Sequence, residues 1–432
     1  MKLKLKNVGK IERAEIELQG ITVIAGENNT GKSTIGKVLF CIFDSFYRIN
    51  EQIKMERRNS ISRAISSYCY EQTNEESFRL DIVSLVNSLM DRCVSAACNP
   101  EWVEKELKNF FKRVEPRILM HSSDMSMQSL ARRISGYLNV SDVEIQKNIL
   151  QKRLQAEFGM NIGYVNTPEE QTDISLDIKG NKIAFSVFEN KKIIVENYMN
   201  LIKEICYIDD PFVLDELASE WRLIWGFSDE YDHRSNLLTK LIKSRKASEF
   251  GVLDEVLVNQ RLTRIFEAMG SVCEGELISS EEGRRYAYRA KGLQGELSIS
   301  SLSTGIKSFV ILRTLLQNGS IDENGIIIMD EPEIHLHPEW QLRFAEIIVL
   351  IQKEFGANIL LNTHSPYFLN AIQVFSKKYG NDDRCRYYLT SESGNRVSVS
   401  DVSDNLETIY DKLARPLQEL ENLEYSYGNT NE

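Results

Sequence analysis

The chain has 432 residues, 42% of them hydrophobic and 27% charged, with a formal net charge of −11. That length exceeds what one core usually holds, so two or more structural units are expected, and the acidity argues against a protein that coats nucleic acid with its whole surface. Apolar runs such as Val38 to Phe43 fall far short of the roughly 20 residues that span a bilayer, and the seven cysteines form no CxxC pair, which excludes a membrane span, a disulfide framework and a zinc ribbon from the expectations.

The opening KLKLK has no apolar signal region, so a cytoplasmic location is expected. Residues 2 to 25 read as short strands, KLKLKNV, AEIEL and ITVIA, separated by Gly9 and Gly20. The last is a continuous apolar run, as in a strand buried on both faces of a mixed sheet. It runs into Gly26-Glu27-Asn28-Asn29-Thr30-Gly31-Lys32-Ser33, a full GxxxxGK[ST], and Ser33 to Phe43 continues with helical character. Strand, glycine turn and helix in that order make a phosphate cradle. The glycines let backbone N–H groups converge, and the helix N-terminus adds its positive dipole end. Lys32 supplies a point charge for β- and γ-phosphates, and the Ser33 hydroxyl a ligand for Mg2+.

Asp44 to Phe158 is mostly helical in pattern, as in EWVEKELKNFFKRV, with no heptad register sustained over many turns. A compact helical insertion is expected there rather than a long coiled coil. Within it, Arg48 to Arg63 carries Lys54, Arg57 and Arg58, which reads as a solvated helix face more readily than as a basic groove. Residues 173 to 212 return to strand character (DISLDI, KIAFSVF, KEICYI), and 213 to 270 are helical again, including DELASEWRLIW and LLTKLIKS. Hairpin strands follow Gly270, and no internal repeat is visible.

Three further motifs stand in the last third. Ser301-Leu302-Ser303-Thr304-Gly305-Ile306-Lys307 precedes the helical run SFVILRTLL, and a Ser/Thr/Gly turn at a helix start makes a second anion nest, although a capped helix looks the same. Gly325-Ile326-Ile327-Ile328-Met329-Asp330-Glu331-Pro332 is a buried strand with two acids at its carboxyl edge, where open α/β sheets place ligands. Asp330 is placed to hold Mg2+ through its water shell, and Glu331 to polarise an attacking water. Asn362-Thr363-His364-Ser365-Pro366 follows another apolar strand and offers His364 to a γ-phosphate. His335 and His337 in EIHLHP invite a zinc reading, but no third ligand stands at suitable spacing, and a structural turn after Glu331 is preferred.

Taken in order, GENNTGKST, LSTG, IIIMDEPEIHLHP and NTHSP resemble the Walker A, signature, Walker B with D-loop, and switch-histidine motifs of ABC/SMC-type ATPases. Within that class the chain resembles the bacterial defence ATPases of the OLD-like and Septu ATPase (PtuA) kind, for which DEPExHLHP is characteristic. The resemblance covers residues 1 to 41 and about 290 to 400, and extends to Tyr207-Ile208-Asp209-Asp210-Pro211-Phe212, near where the family's lid strand precedes a helical region.

The resemblance implies an α/β fold: an ABC-type P-loop ATPase head, a mixed sheet with flanking helices, split by a mainly helical insertion. The expected layout is head at 1–43, helical insertion at 44–172, head strands at 173–212, helical subdomain at 213–270, head at 271–400 and acidic helical tail at 401–432. It implies ATP and Mg2+ as cofactors. Gly26, Asn28, Asn29, Thr30, Gly31, Lys32, Ser33 and Thr34 would hold phosphates in cis, and Ser303, Thr304 and Gly305 would do so from a second copy in a head-to-tail homodimer or higher oligomer. Ser33 and Asp330 would serve the metal, and Glu331, His364 and Lys32 the chemistry.

Three departures lower the rate to be expected. The signature lacks its first glycine and its final Gln/Glu, and His337 stands where many relatives carry the D-loop Asp. No Q-loop glutamine is identified. Only a short segment follows His364, so a nuclease domain in cis is not expected. The functional expectation is a nucleotide-gated sensor controlling a separately encoded effector, with nucleic acid left open as a partner. The alternatives are a DNA-maintenance ATPase like SMC and RecF, or an ATP-stabilised scaffold with little turnover.

Overall fold

A computed structural model describes residues 1–73, 82–93, 98–121, 123–159, 161–163, 167, 170–190, 192–217, 232–243, 252–279 and 286–428. The expected helix DELASEWRLIW falls mostly outside these residues. By contacts within the chain the protein forms two compact units, residues 48–149 and the remainder, 1–47 with 150–432.

The larger unit is organised by one sheet. Strand β1 (Lys2–Val8) alternates, with Leu3 and Leu5 buried and Lys2, Lys4 and Lys6 exposed, the pattern of a sheet face open to water. Strands β2 (Ile11–Glu17), β4 (Thr172–Ile178), β5 (Asn181–Phe188) and β6 (Lys192–Asn197) complete this antiparallel half. Strand β3 (Ile21–Ala25) is buried at all five positions. It belongs to a parallel half with β7 (Ile205–Ile208), β10 (Ile326–Asp330), β11 (Asn358–Thr363) and β12 (Cys385–Ser393). A last strand, β13 (Arg396–Asp401), joins the halves, giving the order β6-β5-β4-β1-β2-β13-β12-β3-β11-β10-β7. The short strands β8 (Glu276–Ser279) and β9 (Tyr286–Arg289) form a separate hairpin ladder.

Alternate residues of the parallel strands feed two cores, as a sheet covered on both faces requires. Ile24, Ile328, Leu360 and Tyr207 pack with helix α1 (Lys32–Phe46). Val23, Ile327, Leu361 and Cys206 face the opposite core. That core is built by α8 (Val213–Leu217), α9 (His233–Ile242), α10 (Val252–Met269), α11 (Thr304–Gln317), α12 (Pro338–Phe355) and α13 (Pro366–Tyr379). Thus the described parts of 213–270, expected as a helical subdomain, share the head's own core. Helix α12 starts at Pro338 behind a His337 cap and ends at Gly356 in the left-handed region, φ 63°. A final helix, α14 (Glu407–Gly428), contributes Ile409 to the same core.

The smaller unit is helical throughout its described residues: α2 (Ile49–Thr73), α3 (Ile82–Cys93), α4 (Pro100–Val114), α5 (Pro116–His121), α6 (Asp124–Asn139) and the first part of α7 (Asp142–Phe158). It has its own core around Ile61, Ile65, Val86, Leu107, Phe111 and Ile134. Arg57, one of the candidate basic-groove residues, is instead committed to Asp142 (2.7 Å) and to the Val140 carbonyl. The unit is narrower than the 44–172 expected. Helix α1 runs on to Phe46, and Leu150 and Leu154 of α7 are buried in the head core.

Phe309 of α11 is fully buried and meets Trp340 and Phe344 of α12 edge-on, at ring-centroid distances of 6.0 and 5.2 Å. Phe309→Ala leaves a cavity between the two helices and is expected to cost about 3–5 kcal/mol, measurable as a lowered urea midpoint.

Candidate functional site

The sheet register brings the separated motifs together. Strand β11 lies between β3 and β10, pairing Thr363 with Ala25 and Asn362 with both Ile24 and Asp330. All three strands are parallel, so the loops that begin at Gly26, Glu331 and His364 leave the same edge of the sheet. The Lys32 ammonium stands 3.6 Å from Glu331 Oε1, and His364 Nδ1 stands 3.2 Å from that same oxygen.

Each group is held by its own backbone context. Lys32 is 4% exposed and donates to the carbonyls of Gly26 (3.0 Å) and Glu27 (2.8 Å). Burial pulls its ammonium below the usual lysine range, and Glu331 and Asp330 pull it back up. Glu331 sits at φ 49°, the left-handed region that a glutamate enters at a cost of about 1–2 kcal/mol. Its N–H donates to the Asn362 carbonyl at 2.9 Å, which pins that turn. Asp330 accepts at both oxygens, from Tyr207 OH (3.1 Å) and Asn362 Nδ2 (3.0 Å).

The loop curls through Asn29 (φ 62°) and Gly31 (φ 80°), while Asn28, Asn29 and Ser33 are exposed. A side chain at Gly26 is forbidden: its Cβ would lie 1.9 Å from Thr390 Oγ1. Thr390, on β12, donates to the Ala25 carbonyl (3.4 Å) and shares a 2.7 Å hydrogen bond with Thr30 Oγ1. Thr34, also expected in the cradle, follows on the first turn of α1.

The remaining expected residues lie elsewhere. Ser303 caps α11 by accepting from the Ile306 N–H, and with Thr304 and Gly305 it lines a hollow of about 410 Å3 alongside His335, His337 and Trp340. Gly305 backs directly onto the Trp340 ring and the His335 carbonyl. His335 meets Phe212 edge-on, and His337 accepts from Glu339 N–H at 3.4 Å as the cap of α12. Buried Lys307 reaches both oxygens of Asp215 at 2.7 Å, tying α11 to α8.

Tyr207, Asn362 and Glu333 stand inside the quoted motifs with no role assigned from sequence, and Thr390 was not singled out, because a polar residue within an apolar strand or motif gives no sign of the partner it meets. Glu333 is 2% exposed, accepts from Thr363 Oγ1, and has its carboxyl raised by burial. Behind Tyr207, His233 bridges Glu157 (2.8 Å) and Asp209 (3.0 Å), with Lys37 on Glu157 and Arg234 on Asp209.

A family model described as "AAA domain, putative AbiEii toxin, Type IV TA system" matches residues 212–370. The chain is similar to "Retron Vc95 probable ATPase" of Vibrio cholerae serotype O1 biovar El Tor, 22% identical over 406 residues, covering 90% of this chain and 74% of that protein. It is also similar to "Septu protein PtuA" of Bacillus thuringiensis, 34% identical over 92 residues, covering 18% of this chain and 23% of that protein. These likenesses support a bacterial defence ATPase of the ABC/AAA type. A solved SMC head bound to the C-winged helix domain of ScpA aligns with 94% of this chain and 98% of its own, at 12% identity and a TM-score of 0.44. Strand order and motif placement, not that superposition, carry the fold.

Gly26→Ala is expected to break the Thr390–Thr30 hydrogen bond and destabilise the chain by about 2 kcal/mol, read by denaturant unfolding, with loss of fluorescent-nucleotide binding. His233 supplies a pH-dependent term. Burial lowers its pKa, but hydrogen bonds to Asp209 and Glu157 outweigh this and raise it to about 9. A raised folded-state value means stability that is complete below about pH 6.5 and is lost as pH rises through about 9. The melting temperature of wild type should fall across that window, and His233→Gln should flatten the fall.

Proposed function

We propose that the chain binds Mg2+–ATP at the Gly26–Thr34 loop, hydrolyses it slowly, and uses the bound state to control a separately encoded effector in a bacterial defence system. The observation that carries the ATPase reading is the convergence of Lys32, Glu331 and His364: Lys32 Nζ and His364 Nδ1 both lie within 3.6 Å of Glu331 Oε1, although the lysine and the other two come from opposite ends of the chain. The residues fit a metal–triphosphate. A left-handed loop turns N–H groups inward, a desolvated ammonium sits beside it, and a carboxylate and an exposed hydroxyl of Ser33 flank it. The carbonyl oxygen of the Asn362 side chain, beside Asp330, is buried without a partner.

In this reading the loop N–H groups and Lys32 bind and orient the phosphates, and Ser33 and Asp330 hold the metal. A metal ion held there would supply neutralisation of the negative charge on the β- and γ-phosphates. Glu331 orients the attacking water and takes its proton, and His364 contacts the γ-phosphate while steadying Glu331. Ser303, Thr304 and Gly305 lie on the separate hollow beside Trp340, a placement that suits contact with nucleotide on a second copy. The names of the retron and Septu relatives support a defence setting, and the helical unit 48–149 offers surface for protein contacts. A cytoplasmic location accords with the fact that no described helix is long and apolar enough to cross a membrane.

Lys32→Ala should remove ATP binding by at least tenfold, measured with a fluorescent analogue. Glu331→Gln should retain binding, reduce phosphate release by about a hundredfold or more, and shift the protein toward an ATP-dependent dimer in light scattering. Phosphate release by Glu331→Gln equal to wild type would end the catalytic assignment. Failure of the chain to associate with any product of its neighbouring genes, with or without ATP, would end the effector reading.

A further inference from the structure

Tyr207 was placed by sequence only in the segment before a helical region, yet its hydroxyl reaches the carboxylate of Asp330. We propose that Tyr207 is a positioning residue that sets the orientation of Asp330 toward the metal ion. This rests on the reading of Asp330 as a metal ligand.

Three observations carry it. First, β7 pairs in parallel with β10, Tyr207 beside Ile328, so a long side chain leaning along the strand reaches Asp330 two residues on. Its hydroxyl donates to Oδ2 at 3.1 Å while Asn362 donates to Oδ1 at 3.0 Å. One donor per oxygen fixes the carboxylate plane, and this is how outer partners orient a metal-binding carboxylate.

Second, the ring has little freedom to move. Tyr207 is 1% exposed and lies against Phe40 of α1 and the His233 imidazole, with centroids 6.3 and 4.5 Å away. His233 is itself held at both ring nitrogens by Glu157 and Asp209.

Third, the helix that follows the phosphate loop makes room for the hydroxyl. A Cβ at Gly36 would stand 3.2 Å from Tyr207 Oη and 3.1 Å from Ile328 Cγ2. The hydroxyl therefore lies close against Gly36, where an added side chain would press on it, between the start of α1 and the end of β10.

A buried tyrosine can also use a carboxylate merely to satisfy its hydroxyl, and the test separates the two roles. Binding of a fluorescent ATP analogue to the full chain is titrated with MgCl2 and, separately, in EDTA, and melting temperatures are recorded. Tyr207→Phe keeps the ring and removes only the hydroxyl. It should raise the Mg2+ concentration for half-maximal effect about tenfold and leave affinity in EDTA unchanged. Gly36→Ala, which crowds the same hydroxyl, should shift the Mg2+ curve in the same direction, and Asp330→Asn should abolish the Mg2+ dependence.

A Tyr207→Phe curve that overlays wild type while Asp330→Asn is shifted overturns the proposal, even if the melting temperature falls. An Asp330→Asn curve that also overlays wild type removes the metal-ligand reading itself, and Tyr207's role with it. Should Tyr207→Phe fail to fold, an unshifted Gly36→Ala curve overturns the proposal on its own.

Discussion

Strand β11 hydrogen-bonds to β3 on one side and β10 on the other, and that pairing decides where three loops end. With Asn362 opposite both Ile24 and Asp330, the phosphate loop, the two acids and His364 emerge level with one another. A slip of one residue in either pairing would turn Asn362 and Asp330 to the opposite face. It would also separate Lys32 from Glu331. The burial of β3, β10 and β11 on both faces is what resists such a slip, because a one-residue shift would misplace Ile24, Ile328 and Leu360 between the two cores.

Much of this was legible in the sequence, where chemistry and periodicity coincide. ITVIA before GENNTGKS and GIIIM before DEP each combine a buried-strand pattern with residues that have no other reason to stand at a strand end. The helical insertion was legible from period alone, but its ends were not, because Leu150 and Leu154 look the same in sequence whichever core they enter. The roles of Tyr207 and Thr390 were invisible for a related reason. In a strand buried on both faces, a hydroxyl-bearing residue gives no sign of which neighbour it meets. The Ser303–Gly305 turn could be read as an anion nest or a simple helix cap, and the structure displays the cap, next to Trp340 rather than beside Lys32 in sequence or sheet order.

The charges of the site are balanced at short range. Lys32 is nearly enclosed, and its ammonium is satisfied by two carbonyls of its own loop with Glu331 nearby. Glu331 shares one oxygen between Lys32 and His364, and Asp330 divides its two oxygens between neutral donors. The ammonium is thus held in place and largely desolvated by its own loop. The left-handed backbone at Glu331 fits the same pattern: local strain is tolerated where the surrounding sheet over-determines it.

The position of β3 has a consequence for biosynthesis. Both of its neighbours, β11 and β12, lie beyond residue 357, so a growing chain carries ITVIA with two bare edges until most of the protein has been made. An apolar strand in that state is a template for wrong pairings, and the nascent chain needs shelter until its C-terminal third emerges. The same arrangement ties completion of this sheet edge to completion of the chain. A product truncated before residue 358 lacks both strands that flank β3, so the edge from which the Gly26–Thr34 loop leaves is not assembled.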